Sequence, residues 1–129
     1  MSFYVEVESP ARGIALGAFR MLGTWRERLR GLLGTGADAE QVVLMRCSSV
    51  HTHGMRYAID VAFVSGEGWV LRSVRGLAPG HAASAPGTFC VFERPAREGA
   101  WFVEGERIRA RTLAHGSAME TEEEVRYAS

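Results

Sequence analysis

The chain contains no lysine, because all fifteen of its basic residues are arginines. This absence excludes a Schiff-base lysine, the lysine of a phosphate-binding loop and a lysine general base. Fifteen acidic residues balance the arginines, so the formal net charge is zero and neither sign dominates. A balanced charge gives no long-range attraction to nucleic acid or to anionic lipid, and we expect neither as a partner.

Long apolar runs and cysteine frameworks are also missing. The N-terminal stretch MSFYVEVESP carries glutamates instead of the basic and apolar regions of a signal peptide, and GIALGAF at 13–19 is too short to span a bilayer. We therefore expect a cytoplasmic protein. The two cysteines, Cys47 and Cys90, lie in strand-like surroundings, which favours buried free thiols over a disulfide.

The length and composition of the chain indicate a single domain. With 129 residues, 47% of them apolar, the chain has the size and composition of a single domain with one core. We expect a lead-in strand at 1–13, a β-rich domain at 14–112 and an acidic tail at 113–129. The charge run of the tail predicts a solvated, partly frayed end.

One segment, TWRERLRGLLG at 24–34, predicts a helix. Thr24 and Glu27 have the spacing of a capping box, leucines recur on one face, and Gly34 can end the helix. Downstream of residue 40 the pattern changes to strands and turns. The predicted strand regions are QVVLMRC at 41–47, a hairpin over 56–75, TFCVFE at 88–93 and two short strands around Gly105.

The order of these elements predicts a mainly β protein, a single-domain β-sandwich or jelly-roll-like barrel with one short early α-helix. The stretch LAPGHAASAPG at 77–87 is rich in glycine, proline and alanine. Such a loop could serve as a lid, and we favour a passive connection.

Asp60 interrupts an alternating apolar strand. Tyr57, Ile59, Val61 and Phe63 fall on one face, which predicts that Asp60 points to the other face, in a shallow recess between small alanines. A carboxylate in such surroundings requires a hydrogen-bond donor.

A polar cluster, CSSVHTH at 47–53, precedes this strand. Alternation places Cys47, Ser49, His51 and His53 on one face, and the two histidines, about 6.6–7 Å apart along a strand, can reach one metal ion. Cys47 and His51, about 13 Å apart, are too distant to act as a nucleophile and base on a straight strand. Without a metal, the histidines would form hydrogen bonds at a sheet edge. The candidates for a third ligand are Asp60, His81, Glu93 and His115.

Several segments resemble, in order and spacing, the prokaryotic family called domain of unknown function 192. They are RLRGLLG at 28–34, CSSVHTHGMRYAIDVAFV at 47–64, GWV at 68–70, LAPG at 77–80 and VFERPA at 91–96. The resemblance spans about residues 14–110. It implies a mostly β single domain of jelly-roll type and no established activity. It also implies that Arg28 and Asp60 are the motif's arginine and aspartate, from which we infer an ion pair between helix and hairpin.

Two functional hypotheses follow. The first is a non-enzymatic domain without a cofactor that binds a small polar ligand or a protein partner through Arg28, His51, Thr52, Met55 and Asp60. The alternative is a metal-dependent, hydrolase-like enzyme that uses His51 and His53 as ligands, with Asp60 as third ligand or general base. The pattern identifies no catalytic residue.

Overall fold

A computed structural model describes residues 2–23, 32, 35–115 and 122–125, and this part of the chain is mainly β. The helix predicted over 24–34 falls outside the described residues, apart from Leu32. Among the residues described, no helix is long and apolar enough to span a membrane. The strands are β1 (Ser2–Ser9), β2 (Ile14–Met21), β3 (Val42–Met45), β4 (Ser49–His51), β5 (Ile59–Val64), β6 (Val70–Leu77), β7 (Ala82–Ser84), β8 (Cys90–Pro95), β9 (Arg109–His115) and β10 (Glu122–Val125).

Eight strands form one mixed sheet in the order β10-β9-β1-β2-β3-β8-β5-β6, and β4 and β7 form a separate two-stranded sheet. β2 and β3 are parallel, whereas the other pairs are antiparallel. The predicted barrel is wrong for these strands, because β6 and β10 end the order without pairing with each other. A bridge between Trp69 and Arg107 draws the β6 end toward the start of β9 and curls the sheet without closing it.

The large sheet carries a core on each face, and both cores follow from strand alternation. The Phe19 core contains a packed aromatic group, in which the ring centroids of Phe92 and Phe102 lie 4.8 Å apart and those of Phe19 and Phe92 4.9 Å apart. The Phe63 core lies on the opposite face and is covered by Val50 and Ala83 of the β4–β7 sheet and by Ala85, which follows β7. β5 and β8 are consequently buried along their whole length.

The predicted hairpin over 56–75 is confirmed as β5 and β6. Its turn closes through hydrogen bonds from the Gly68 N–H to the Ser65 carbonyl (3.0 Å) and from the Ser65 N–H to the Trp69 carbonyl (2.9 Å). Gly68 has a φ of 91°, a left-handed conformation that glycine adopts without a Cβ penalty. Of the two strands predicted around Gly105, the first is not formed and the second is β9.

The N-terminal segment is an integral strand. β1 pairs with β2 on one side and with β9 on the other. Val5 and Val7 enter the Phe19 core, while Glu6 and Glu8 face outward. The boundary expected at residue 112 falls inside β9, and residues 122–125 of the expected tail pair with β9 as β10.

Candidate functional site

Asp60 is only 1% exposed and lies directly across from Arg94 in the β5–β8 register. The Arg94 Nε donates to Asp60 Oδ2 at 2.8 Å, and the Gly76 N–H donates to Oδ1 at 2.9 Å. In the described part of the chain, the arginine that pairs with Asp60 is therefore Arg94. Arg28, the partner inferred from the sequence, lies outside the described residues. Arg94 is the cross-strand neighbour of Asp60 on the same face of the sheet, and this position brings its guanidinium to the carboxylate.

The remaining N–H groups of Arg94 organise the chain that follows β8. Nη1 donates to the Ala100 carbonyl at 3.1 Å and Nη2 to the Arg97 carbonyl at 3.2 Å. The guanidinium carbon lies 4.5 Å from the ring centroid of Trp101, in cation–π geometry. The space beside Asp60, expected to be a recess, is filled by this segment. Asp60 is thus a structural group with no access to a ligand.

Thr52 and Met55 are also buried. Thr52 is 0% exposed; its Oγ1 donates to the Ala78 carbonyl at 2.5 Å and accepts from the His81 N–H at 2.9 Å. Its carbonyl accepts from the Gly80 N–H at 3.0 Å. Met55 packs in the Phe63 core. Thr52 therefore anchors the turn at 78–81, and neither residue faces a binding surface. The stretch 77–87, predicted as one loop, contains the end of β6 and all of β7.

The predicted metal set does not assemble. His51 and His53 are both exposed, with ring centroids 5.5 Å apart, but Asp60 is held by Arg94 inside the protein. In the described part of the chain, no group of three or more His, Cys, Asp or Glu side chains is placed to hold a metal ion. His81 turns its Nδ1 to the carbonyls of Ala78 and Pro79, at 3.2 and 3.1 Å.

One predicted site residue, His51, does line a surface recess. The recess has a volume of about 350 Å³ and lies where the β4–β7 sheet meets β6. Arg72 of β6 reaches across it and donates from Nη1 to the Ser84 carbonyl at 2.9 Å. Its lining residues are Ser49, Val50, His51, Arg72, Ala82, Ala83 and Ser84. We call it the β4–β7 recess.

A second cavity, of about 360 Å³, lies on the outer face of β1, β2 and β9. Its charged side chains pair with one another: Arg109 Nη1 lies 3.0 Å from Glu8 Oε1, and Arg111 is bonded to Glu6. Small residues of β2 form its floor. Because these charges are mutually compensated, this groove offers a ligand less than the β4–β7 recess does.

Glu93 is the buried ionisable residue that sequence reasoning undervalued, since it appeared there only as a possible metal ligand. It is 4% exposed and lies between Val42 of β3 and Val61 of β5. Burial raises the pKa of the Glu93 carboxyl to about 7, although a hydrogen bond from the Leu32 backbone N–H partly opposes the shift. The signal in the sequence is the single acidic residue at the end of the apolar strand TFCVFE.

A small polar cluster surrounds the same backbone segment. The Leu32 carbonyl accepts hydrogen bonds from Thr35 Oγ1 at 2.5 Å and from the Tyr57 hydroxyl at 3.4 Å. The hydroxyls of Thr35 and Tyr57 lie 2.5 Å apart. Leu32 is therefore held at both of its backbone polar groups, by the carboxyl of Glu93 on one side and by these hydroxyls on the other.

Comparisons with known proteins establish the fold and leave the function open. No family model matches the chain, and no curated protein matches it. The chain is similar in structure to a protein of unknown function from Novosphingobium aromaticivorans DSM 12444, with a TM-score of 0.57 and 17% sequence identity. The match covers 81% of this chain and 82% of that one, so most of the β architecture is similar to that of a second protein.

Proposed function

We propose that this protein is a non-enzymatic binding domain that takes a small oxyanion-bearing molecule, a carboxylate or a phosphate, in the β4–β7 recess. The observation that carries the proposal is the position of Arg72 and His51 in the same recess. A guanidinium and an imidazole are two of the side chains best suited to an oxyanion. The hydroxyls of Ser49 and Ser84 add short-range donors at the same place.

The hydrogen bonding of Arg72 supports this proposal. Within the described part of the chain it donates one hydrogen bond, to the Ser84 carbonyl. A guanidinium has five N–H groups, so most of them stay available to water or a ligand. The existing bond holds the side chain across the recess, which lowers the entropy lost when a ligand binds.

Volume and lining point to a small ligand. The recess, at about 350 Å³, lies at the lower end of the range for small-molecule sites. Val50, Ala82 and Ala83 supply a modest apolar surface beside the polar groups. A metabolite with one anionic group and a short carbon skeleton fits this arrangement better than a protein partner does.

We also propose that the chain is a member of domain of unknown function family 192, that it has a jelly-roll fold and that it is cytoplasmic. The ordered segments from RLRGLLG at 28–34 to VFERPA at 91–96 support membership of domain of unknown function family 192. The β4–β7 sheet packed over one face of the large sheet supports a two-layer relationship. The hydrolase alternative retains His51 and His53 but has lost Asp60 as a ligand.

A nuclear magnetic resonance titration tests the proposed site. On addition of phosphate, acetate or citrate to the full chain, we expect the largest amide shift changes in 49–51 and 82–84. Arg72→Gln should weaken binding about tenfold, the equivalent of one charge-assisted hydrogen bond. Arg75→Gln is the matched control, because Arg75 is an exposed arginine of the same strand that donates to the Arg97 carbonyl. If Arg72→Gln and Arg75→Gln lost the same affinity for the anion, the effect would come from the protein's overall charge, and the proposed site would be refuted.

A further inference from the structure

His51 is the last residue of β4, and His53 lies in the turn that follows it. They are separated by Thr52, whose side chain points inward and is completely buried. The two imidazoles point outward, are exposed and have ring centroids 5.5 Å apart with an angle of 35° between their planes. No hydrogen bond joins either ring to another of the described residues.

We propose that His51 and His53 together bind one divalent transition-metal ion at the protein surface, as a two-imidazole clamp whose remaining positions are taken by water. Both rings lie on the same side of the chain, because their centroids are only 5.5 Å apart. Two imidazoles on one tetrahedral ion, with metal–nitrogen bonds of about 2.0–2.1 Å, have centroids about 5 Å apart. The observed separation of 5.5 Å is close to that value.

The backbone around Thr52 makes the pair pre-organised. The Thr52 N–H donates to the His81 carbonyl at 2.8 Å, and the Thr52 carbonyl accepts from Gly80 and Met55 at 3.0 and 3.1 Å. The Oγ1 of Thr52 is held as well, at 2.5 Å from the Ala78 carbonyl. Because four groups fix this residue, chelation has to order only the two imidazole side chains and costs little backbone entropy.

The donor set indicates the class of ion. Neutral imidazole is a ligand for zinc, copper and nickel, and it is a poor one for magnesium or calcium, which require oxygen. With only two protein ligands the site keeps open positions, as catalytic and transport sites do and closed structural zinc sites do not. It shares His51 with the β4–β7 recess and is otherwise independent of the function proposed above.

Calorimetric titration of zinc chloride into the full chain, prepared without a histidine tag, tests the clamp. We expect one ion per chain. His51→Ala and His53→Ala should each weaken binding about tenfold or more, because loss of one ligand removes the chelate. His81→Ala is the matched control, since His81 is exposed and close in space but turns its ring nitrogen to the 78–79 carbonyls. Copper(II) in place of zinc should show, by electron paramagnetic resonance, two coupled imidazole nitrogens.

The clamp and the recess can fail separately. His53→Ala should weaken zinc binding about tenfold or more and leave the phosphate titration unchanged. Arg72→Gln should weaken phosphate binding about tenfold and leave zinc binding unchanged. Zinc binding that survives in a His51→Ala/His53→Ala double variant, or that is lost in His81→Ala, overturns the clamp. A wild-type chain that binds zinc no better than the double variant overturns it as well.

Discussion

Arg94→Ala is expected to lower the free energy of unfolding by about 3–5 kcal/mol, a large part of the stability of a domain of this size. The substitution leaves the Asp60 carboxylate buried, 1% exposed, without the partner that lies 2.8 Å away. It also removes the donor to the Ala100 carbonyl and one of the two donors to the Arg97 carbonyl. Urea denaturation at neutral pH, followed by tryptophan fluorescence, measures the loss.

Two further variants make this test specific. Arg75→Ala is the control, because Arg75 is exposed and donates to the same Arg97 carbonyl at 2.8 Å, so its loss should cost far less. Asp60→Leu combined with Arg94→Met should cost less than the sum of the single changes, since no charge is left buried. If Arg94→Ala were no more destabilising than Arg75→Ala, the pair would not hold β5, β8 and the 96–101 segment together.

Stability is expected to fall as the pH rises from about 4.5 to 7, and Glu93 is the cause. Its pKa is about 7 in the folded protein and near 4.5 when exposed, so the unfolded chain releases the proton first. The contribution of Glu93 is fully present below pH 4.5 and is lost as the pH passes through about 7. A shift of this size corresponds to about 3 kcal/mol across the window.

Denaturation midpoints of the wild type and Glu93→Gln, measured between pH 4 and 8, test this expectation. The amide cannot ionise, so the variant should lack this part of the pH dependence and be the more stable protein at pH 8. It also keeps an oxygen that can accept the Leu32 N–H. Glu98→Gln, at an exposed position in the 96–101 segment, should reproduce the wild-type profile. Parallel profiles for wild type and Glu93→Gln would show that the carboxyl stays ionised in the folded state.

The local sequence pattern predicted the features that depend only on residues close together in the chain, namely strands, turns and the face on which each side chain lies. The alternation of Ile59, Val61 and Phe63 placed these residues in one core and Asp60 on the other face, and the structure confirms both placements. The turn at 65–68 and the strand of residues 90–95 also follow from local residues. The need of Asp60 for a hydrogen-bond donor follows from the cost of burying a lone carboxylate.

The sequence alone determined that this chain is mainly β, with a central hairpin, and that Asp60 lies on the opposite face from its apolar neighbours and requires a hydrogen-bond donor. Only the tertiary structure showed that Arg94 pairs with Asp60, that the Thr52 side chain is buried and which residues line the β4–β7 recess. Asp60 and Arg94 are 34 positions apart and meet through the register of β5 against β8. Register across a sheet depends on packing of both faces at once, and no short stretch of sequence records it.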